Sequence, residues 1–154
     1  MKKIVIIGPA YPYRGGQSLV EAHLFHILSS EKYDCYTISY SLLYPSIFFP
    51  GTSQYDKSGI VYFPHSEKIF RLINSINPIS WIYAFQKIRE IRPDLLIVVW
   101  WMPFFGPALG TLSSFVKNIL GIKITFLIEN YLSHEKRWFN KVFAKYALKN
   151  ADFF

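Results

Sequence analysis

Short runs of apolar residues recur along the chain, and they constrain its fold more than any other feature of the sequence. Most of them are apolar at consecutive positions rather than alternating ones, which is typical of strands buried on both faces. The clearest is LLIVVW at Leu95–Trp100, and the others are Lys3–Ile7, Cys35–Tyr40 and Lys123–Ile128. Segments with helical periodicity separate these runs. The alternation predicts an α/β fold, a Rossmann-like domain whose mostly parallel sheet is covered by helices on both faces.

Capping and breaking residues locate the remaining elements. Asn77 and Pro78 indicate the start of a helix that ends before Pro93. The other predicted elements are helices at Gln17–Ser30, Glu67–Ser75 (capped by Ser66), Pro107 to Gly121 and Ser133 to about Lys149, a strand at Ile60–Phe63 and the start of another at Asp152–Phe154. The residues predicted to face inward are Val20, Leu24, Ile27 and Leu28, then Trp81, Phe85 and Ile88, then Leu109, Leu112, Val116 and Ile119.

Length and composition limit the classes of protein to consider. The chain has 154 residues, which predicts one domain over 1–154, and 51% of them are hydrophobic, which excludes disorder. The net charge of +7 favours acidic partners such as phosphates or anionic lipid. No recognisable DNA- or RNA-binding motif is present, so nucleic acid is not expected as a partner. Cys35 is the only cysteine, which fits a reducing cytoplasm.

The segment Leu95–Val116 carries no charge and is long enough to span a bilayer. Pro103, Gly106, Pro107 and Gly110 interrupt it. A strand, a turn and an amphipathic helix explain those residues better than a membrane span does.

A glycine pair follows the first strand, in GPAYPYRGGQSL from Gly8 to Leu19. The stretch lacks the G-x-G-x-x-G of a dinucleotide site and the lysine of a Walker A loop. Gly15 and Gly16 leave the backbone bare where a helix begins, and helix N-termini favour anions. The alternative is a tight turn that binds nothing.

A metal site is not expected. His23 and His26 lie three residues apart on the first predicted helix, but the sequence places no third ligand beside them. We therefore expect no metal and no cofactor.

The stretch KIVIIGPAYPYRGGQS resembles the N-terminus of bacterial family 4 glycosyltransferases of the GT-B fold. Further stretches agree in order across nearly the whole chain: FFPGTSQYD, INSINPISW, RPDLLIVVWWMPFFGP and ENYLSHEKRWFNKVFAKYALKNADFF. The resemblance implies a retaining hexosyltransferase that moves a sugar from a nucleotide-sugar to a glycan or lipid-linked acceptor, in cell-surface polysaccharide synthesis. It also implies that 1–154 is the N-terminal, acceptor-side domain and that the donor domain is absent, so that this chain alone is inactive.

The resemblance assigns roles to particular residues. It places Gly15 and Gly16 near the donor diphosphate, where Arg14 is a candidate to assist. The family commonly has His-Asn after the strand that ends at Ile128, and this chain has Glu129 and Asn130 instead. A carboxylate there accepts hydrogen bonds from sugar hydroxyls but repels a diphosphate, so it implies a different substrate or an impaired copy.

The same loop continues with a His-Glu pair that matches the family, His134 and Glu135. We expect Glu129 and His134 to be catalytic and Asn130 and Glu135 to bind substrate. The alternatives are a Glu129 paired with a nearby basic residue and a His134 bonded within its own helix. Trp101, at the end of the central strand, stacks on a sugar or packs in the core.

The last predicted helix carries a basic stripe, formed by Arg137, Lys141, Lys145 and Lys149 at intervals of four. We expect it to face anionic lipid at the inner face of the plasma membrane, with help from the loop residues Leu43, Phe48 and Phe49. The aromatic side of this helix is expected to pack on the sheet.

A second class of function fits the same residues. The chain would then be a non-catalytic acceptor-binding or docking subunit of a transferase split between two chains. The size of the native gene product separates this reading from a half of a single-chain enzyme.

Overall fold

Five parallel strands form the centre of the molecule. The computed structural model describes residues 1–46, 53–57, 66–130 and 138–154. The strands are β1 (Lys3–Ile7), β2 (Asp34–Leu42), β3 (Ile69–Asn74), β4 (Leu95–Trp100) and β5 (Lys123–Ile128). Their order in the sheet is β3-β2-β1-β4-β5, and every neighbouring pair is parallel. The predicted α/β, Rossmann-like fold is confirmed.

Four α-helices flank this sheet. They are α1 (Gly16–Ser30), α2 (Pro78–Ile91), α3 (Gly106–Phe115) and α4 (Trp138–Leu148). Right-handed crossovers place α1 on the face opposite to α2 and α3. The Asn77 side chain caps α2 by accepting a hydrogen bond from the Ile79 amide, as predicted.

The uncharged segment Leu95–Val116 forms β4, a short 3₁₀ helix at Pro103–Phe105 and then α3. Within the described ranges, no helix is long and apolar enough to cross a membrane. The predicted strand–turn–helix interpretation is therefore confirmed for this segment.

The helix predicted at Glu67–Ser75 is wrong. Ser66–Lys68 form one 3₁₀ turn, and Ile69–Asn74 form β3 at the edge of the sheet. The apolar residues of IFRLIN recur at helical spacing, but pairing with β2 gives the backbone of this segment a hydrogen-bonded ladder. The strand predicted at Ile60–Phe63 lies outside the described residues.

The inward face of α1 also differs from the prediction. Leu24 and Leu28 pack against the core as predicted, but Ile27 is 56% exposed, and the fully buried residues are Ser18, Glu21 and Phe25. Apolar residues lie on both sides of this helix, so periodicity alone does not select its buried side. Phe25 and a hydrogen bond from Thr37 on β2 to Glu21 determine which side meets the sheet.

The C-terminal part of α3 changes its helical phase. Leu109, Leu112 and Val116 are buried as predicted, but Ile119 is 62% exposed. The backbone winds as a π-helix over Val116–Leu120, and the wider turn rotates Ile119 outward.

Two glycines of α3 allow α4 to approach this helix closely. A Cβ at Gly106 would lie 2.6 Å from the carbonyl oxygen of Phe143, and one at Gly110 would lie 2.5 Å from the Tyr146 ring. Phe143 and Tyr146 of α4 therefore contact α3, and the packing of this aromatic side on the sheet stays a prediction.

The last residues continue the sheet by a single bridge. Phe153 pairs in parallel with Thr125 of β5, where the sequence predicts a strand start. The Asp152 carboxylate accepts from the Ile124 amide at 3.0 Å and pairs with Lys117 and Lys123. These partners, the backbone amide first, lower the pKa of Asp152 to about 2.

Candidate functional site

The candidate site lies where the strand order reverses. β1 and β4 are neighbours, but the chain leaves β1 toward β2 and leaves β4 toward β5. Ligands of open parallel sheets bind beyond the carboxyl ends of such strands. The segments at that edge are 8–15 after β1 and 101–105 after β4.

The glycine turn, Gly15 and Gly16, opens α1 at this edge. Gly15 has φ 122°, a backbone conformation that is unfavourable for residues with a side chain. Gly16 is the first residue of the helix. Arg14, Gly15 and Gly16 are all exposed. No described side chain caps this end of α1, and a Cβ on Gly16 would meet no described atom within 4 Å. The first amides of the helix therefore lack a capping partner among the described side chains.

A two-stranded ribbon holds the turn from one side. Residues 12–14 pair with 54–56 in antiparallel fashion: the Arg14 amide donates to the Gln54 carbonyl at 2.9 Å, and the Asp56 amide donates to the Pro12 carbonyl at 2.7 Å. At the bridge itself, Tyr13 and Tyr55 stack with their ring centroids 5.2 Å apart. Burial first, and then the hydrogen bond with Tyr55, raise the pKa of Tyr13.

Arg71 reaches the same loop from the edge strand. Its Nη2 donates to the Tyr11 carbonyl at 2.5 Å, and its side chain is exposed. This cation was missed because the sequence analysis placed it on a helix. The only signal that could have found it is the pairing of β3 with β2, which puts Arg71 level with Ser39.

The carboxyl group of Glu21, on α1, is buried between this helix and the sheet. Glu21 is 0% exposed, its Oε1 accepts from the Thr37 hydroxyl, and its Oε2 has no hydrogen-bond partner among the described residues. A Cβ at Gly8 would lie 3.3 Å from Glu21 Cγ, which places the carboxyl group near the end of β1. Burial raises the pKa of Glu21 to about 7, against the opposing effects of Thr37 and Arg71.

Trp101 takes part in the core at this edge. It is 6% exposed, its ring lies 4.4 Å from that of Phe105, and its Nε1 donates to the Tyr44 hydroxyl at 3.1 Å. These contacts explain the burial of Trp101 by core packing. Its contact with a sugar stays a prediction.

Glu129 and Asn130 follow β5 at the same edge of the sheet, and both are exposed. The Glu129 amide donates to the Trp100 carbonyl at 2.9 Å, which ties the residue to the end of β4. Two strand spacings, about 10 Å, separate β5 from β1. The structure thus places Glu129 at the same carboxyl end of the sheet as the loop that follows β1. His134 and Glu135 lie outside the described residues.

The basic stripe is exposed where it is described. Lys141, Lys145 and Lys149 lie on the outer side of α4, and Lys149 Nζ sits 4.7 Å from the centre of the Tyr146 ring. Arg137 lies outside the described residues, as do Phe48 and Phe49. Leu43 is only 5% exposed, so the expectation that it helps to contact lipid is wrong.

No metal centre emerges from the parts of the chain that the structure describes, where no group of three or more His, Cys, Asp or Glu converges. His23 is engaged locally, with its Nδ1 2.8 Å from the Leu19 carbonyl.

The chain was also compared with known proteins. No protein-family model matches it, and no curated protein is significantly similar to it in sequence.

Proposed function

We propose that this domain is the acceptor-side half of a retaining glycosyltransferase. In the proposed reaction, the bond between the anomeric carbon of the donor sugar and the nucleoside diphosphate breaks. The acceptor hydroxyl oxygen bonds to that carbon, and its proton passes to the leaving diphosphate. A second domain or partner chain supplies the donor-binding wall, and this domain alone does not turn over because it holds only one side of the cleft.

The observation that carries the proposal is the N-terminus of α1, which follows β1 at the reversal of strand order and which no described side chain caps. Charge develops on the leaving diphosphate as the bond to the sugar breaks, and amides that already point at this position stabilise it without reorganisation. Arg14 adds a cation beside the turn. The resemblance of this stretch to family 4 glycosyltransferases supports the same assignment.

Glu129 is the second part of the proposed site. It is exposed at the end of β5, where its carboxylate can accept hydrogen bonds from hydroxyls of the transferred sugar. Glu129 follows β5 at the carboxyl end of the sheet, two strands away from β1.

The experiment replaces Gly16 by valine in the complete transferase that contains this domain. Open space around Gly16 predicts an intact fold, and the branched side chain keeps the diphosphate from the backbone. We expect transfer from UDP- and GDP-sugars to extracted membrane glycolipids to fall at least tenfold, about 1.4 kcal/mol of transition-state stabilisation.

Gly15→Ala is the matched comparison for thermal stability. Because Gly15 has φ 122°, a side chain there is unfavourable, and we expect this variant to be less stable than the wild type. Turnover by Gly16→Val equal to that of the wild type would show that the glycine pair is only a turn. Robust transfer by residues 1–154 alone would contradict the two-sided cleft.

A further inference from the structure

Tyr55 presents an aromatic ring at the candidate site. The residue is 47% exposed, while Tyr13, on which it stacks, is 3% exposed. The two rings are inclined by 28°. One face of the Tyr55 ring is therefore supported by the core, and a large part of the residue remains available to a ligand.

Backbone and side-chain hydrogen bonds hold this ring in place. The ribbon of 12–14 with 54–56 fixes the backbone on both sides of Tyr55. Next to it, the Gln54 amide pairs with the backbone of Tyr44, accepting at 2.9 Å and donating at 2.7 Å. A ligand that stacks on Tyr55 meets a ring that is already ordered, so little side-chain entropy is lost on binding.

The ring also lies beside the glycine turn. Tyr13, its bridge partner, precedes Gly15 by two residues, so Tyr55 flanks the glycine turn directly. Recognition of a nucleobase needs polar groups that read its edge, and the Gln54 amide is already committed to Tyr44. The apolar face of a pyranose ring needs only the aromatic surface.

We propose that Tyr55 is the stacking surface for a pyranose ring of the acceptor, and so a residue that determines acceptor specificity. This inference rests on the proposed function for its account of the ligand as an acceptor. Carbohydrate binding at Tyr55 is measurable independently of transfer.

The first test is saturation-transfer NMR on residues 1–154 with the methyl α- and β-glycosides of glucose, galactose, mannose and N-acetylglucosamine, and with uridine. We expect the wild type to bind at least one glycoside and Tyr55→Ala to bind it roughly three- to tenfold more weakly. Tyr55→Phe keeps the ring and should bind as the wild type does. Tyr55→Val suits the extended ribbon and is the second ring-deleting variant if the alanine variant does not fold.

Tyr33→Ala is the matched control. Tyr33 is 37% exposed and precedes β2, so it lies at the amino-terminal ends of the strands, away from the candidate site. Any one of four results would overturn the proposal. These are unchanged glycoside binding in a folded ring-deleting variant, an equal loss of binding in Tyr33→Ala, no glycoside binding by the wild type, and preferential binding of uridine.

The second test separates this inference from the proposed reaction. In the active complete transferase, Tyr55→Val should raise the acceptor KM and leave the donor KM unchanged. Transfer with an unaltered acceptor KM overturns the role of Tyr55 and leaves the proposed function standing. Glycoside binding that depends on Tyr55, without transfer from any donor, supports the carbohydrate site and contradicts the reaction.

Discussion

Glu21 is a carboxylic acid that folding removes from water, so its protonation links stability to pH. Its pKa is about 7 in the folded chain, against 4.5 as the ordinary value. A raised pKa means that the stabilising contribution is fully present below about pH 4.5 and is lost as the pH rises through 7. Over that window the contribution amounts to about 3 kcal/mol at most.

Replacing Glu21 by glutamine should therefore flatten the pH dependence of stability. The amide keeps the size of the side chain and an acceptor for Thr37, but it does not ionise. We expect Glu21→Gln and wild type to have similar free energies of unfolding in urea at pH 5, and the variant to be the more stable at pH 8. Glu31→Gln, at the exposed C-terminal end of the same helix, is the control, and parallel curves for Glu21→Gln and wild type would contradict the assignment.

At the same scale, the site could be predicted only where its residues are close in sequence. Gly15 and Gly16 stand out because a bare turn directly follows an apolar strand. Tyr55 and Arg71 reach the site through pairing with distant segments, and no local pattern reports such pairing. The burial of Glu21 depends on Thr37 across the helix–sheet interface, which the spacing of apolar residues does not register.

Among the elements, the contact between α3 and α4 depends on a missing side chain. Gly106 lies against the backbone of Phe143, which cannot swing aside as a flexible side chain can. We expect Gly106→Ala to lower the free energy of unfolding by about 1–3 kcal/mol, because the helices must separate to admit a methyl group. Thermal and urea unfolding measure the effect.

Gly16→Ala is the matched control for this prediction, since its added Cβ meets nothing within 4 Å in the described structure. Equal losses of stability in the two variants would show that any alanine at the first position of a helix is unfavourable in this protein. The close approach of α3 and α4 would then not be the cause.

Prediction at the element scale succeeded where one pattern excluded the others. The bounds of β1, β4 and β5 match because these strands are predominantly apolar and are followed within a few residues by Gly8, Pro103 and Glu129. β3 was misassigned because Ile69, Phe70, Leu72 and Ile73 satisfy the helical spacing as well as a strand does. Only the neighbouring β2 distinguishes the two structures, and that information is not local.

At the scale of the whole molecule, the net charge of +7 and the exposed lysines of α4 predict salt-sensitive binding to anionic membranes. Each lysine near such a surface contributes about 1 kcal/mol. Changing Lys141, Lys145 and Lys149 together to glutamine should lower co-sedimentation with anionic liposomes at low salt by up to roughly 100-fold. High salt should reduce wild-type binding in the same way.

The matched control changes Lys2, Lys32 and Lys57, which are exposed elsewhere, so that the net charge falls equally. If both triple variants bind equally weakly, the attraction belongs to total charge rather than to α4. Equal binding of the wild type to neutral and anionic liposomes would exclude the electrostatic mechanism.

The position of β1 has a consequence for synthesis on the ribosome. This strand is the third of five across the sheet but the first in the chain, and its neighbour β4 begins only at Leu95. At roughly 5–20 residues per second, translation leaves about 5 to 20 s between the two strands. During that time β1 has no β4 to pair with, and its apolar residues are exposed on the nascent chain. We therefore expect a chaperone to bind this segment in preference to others.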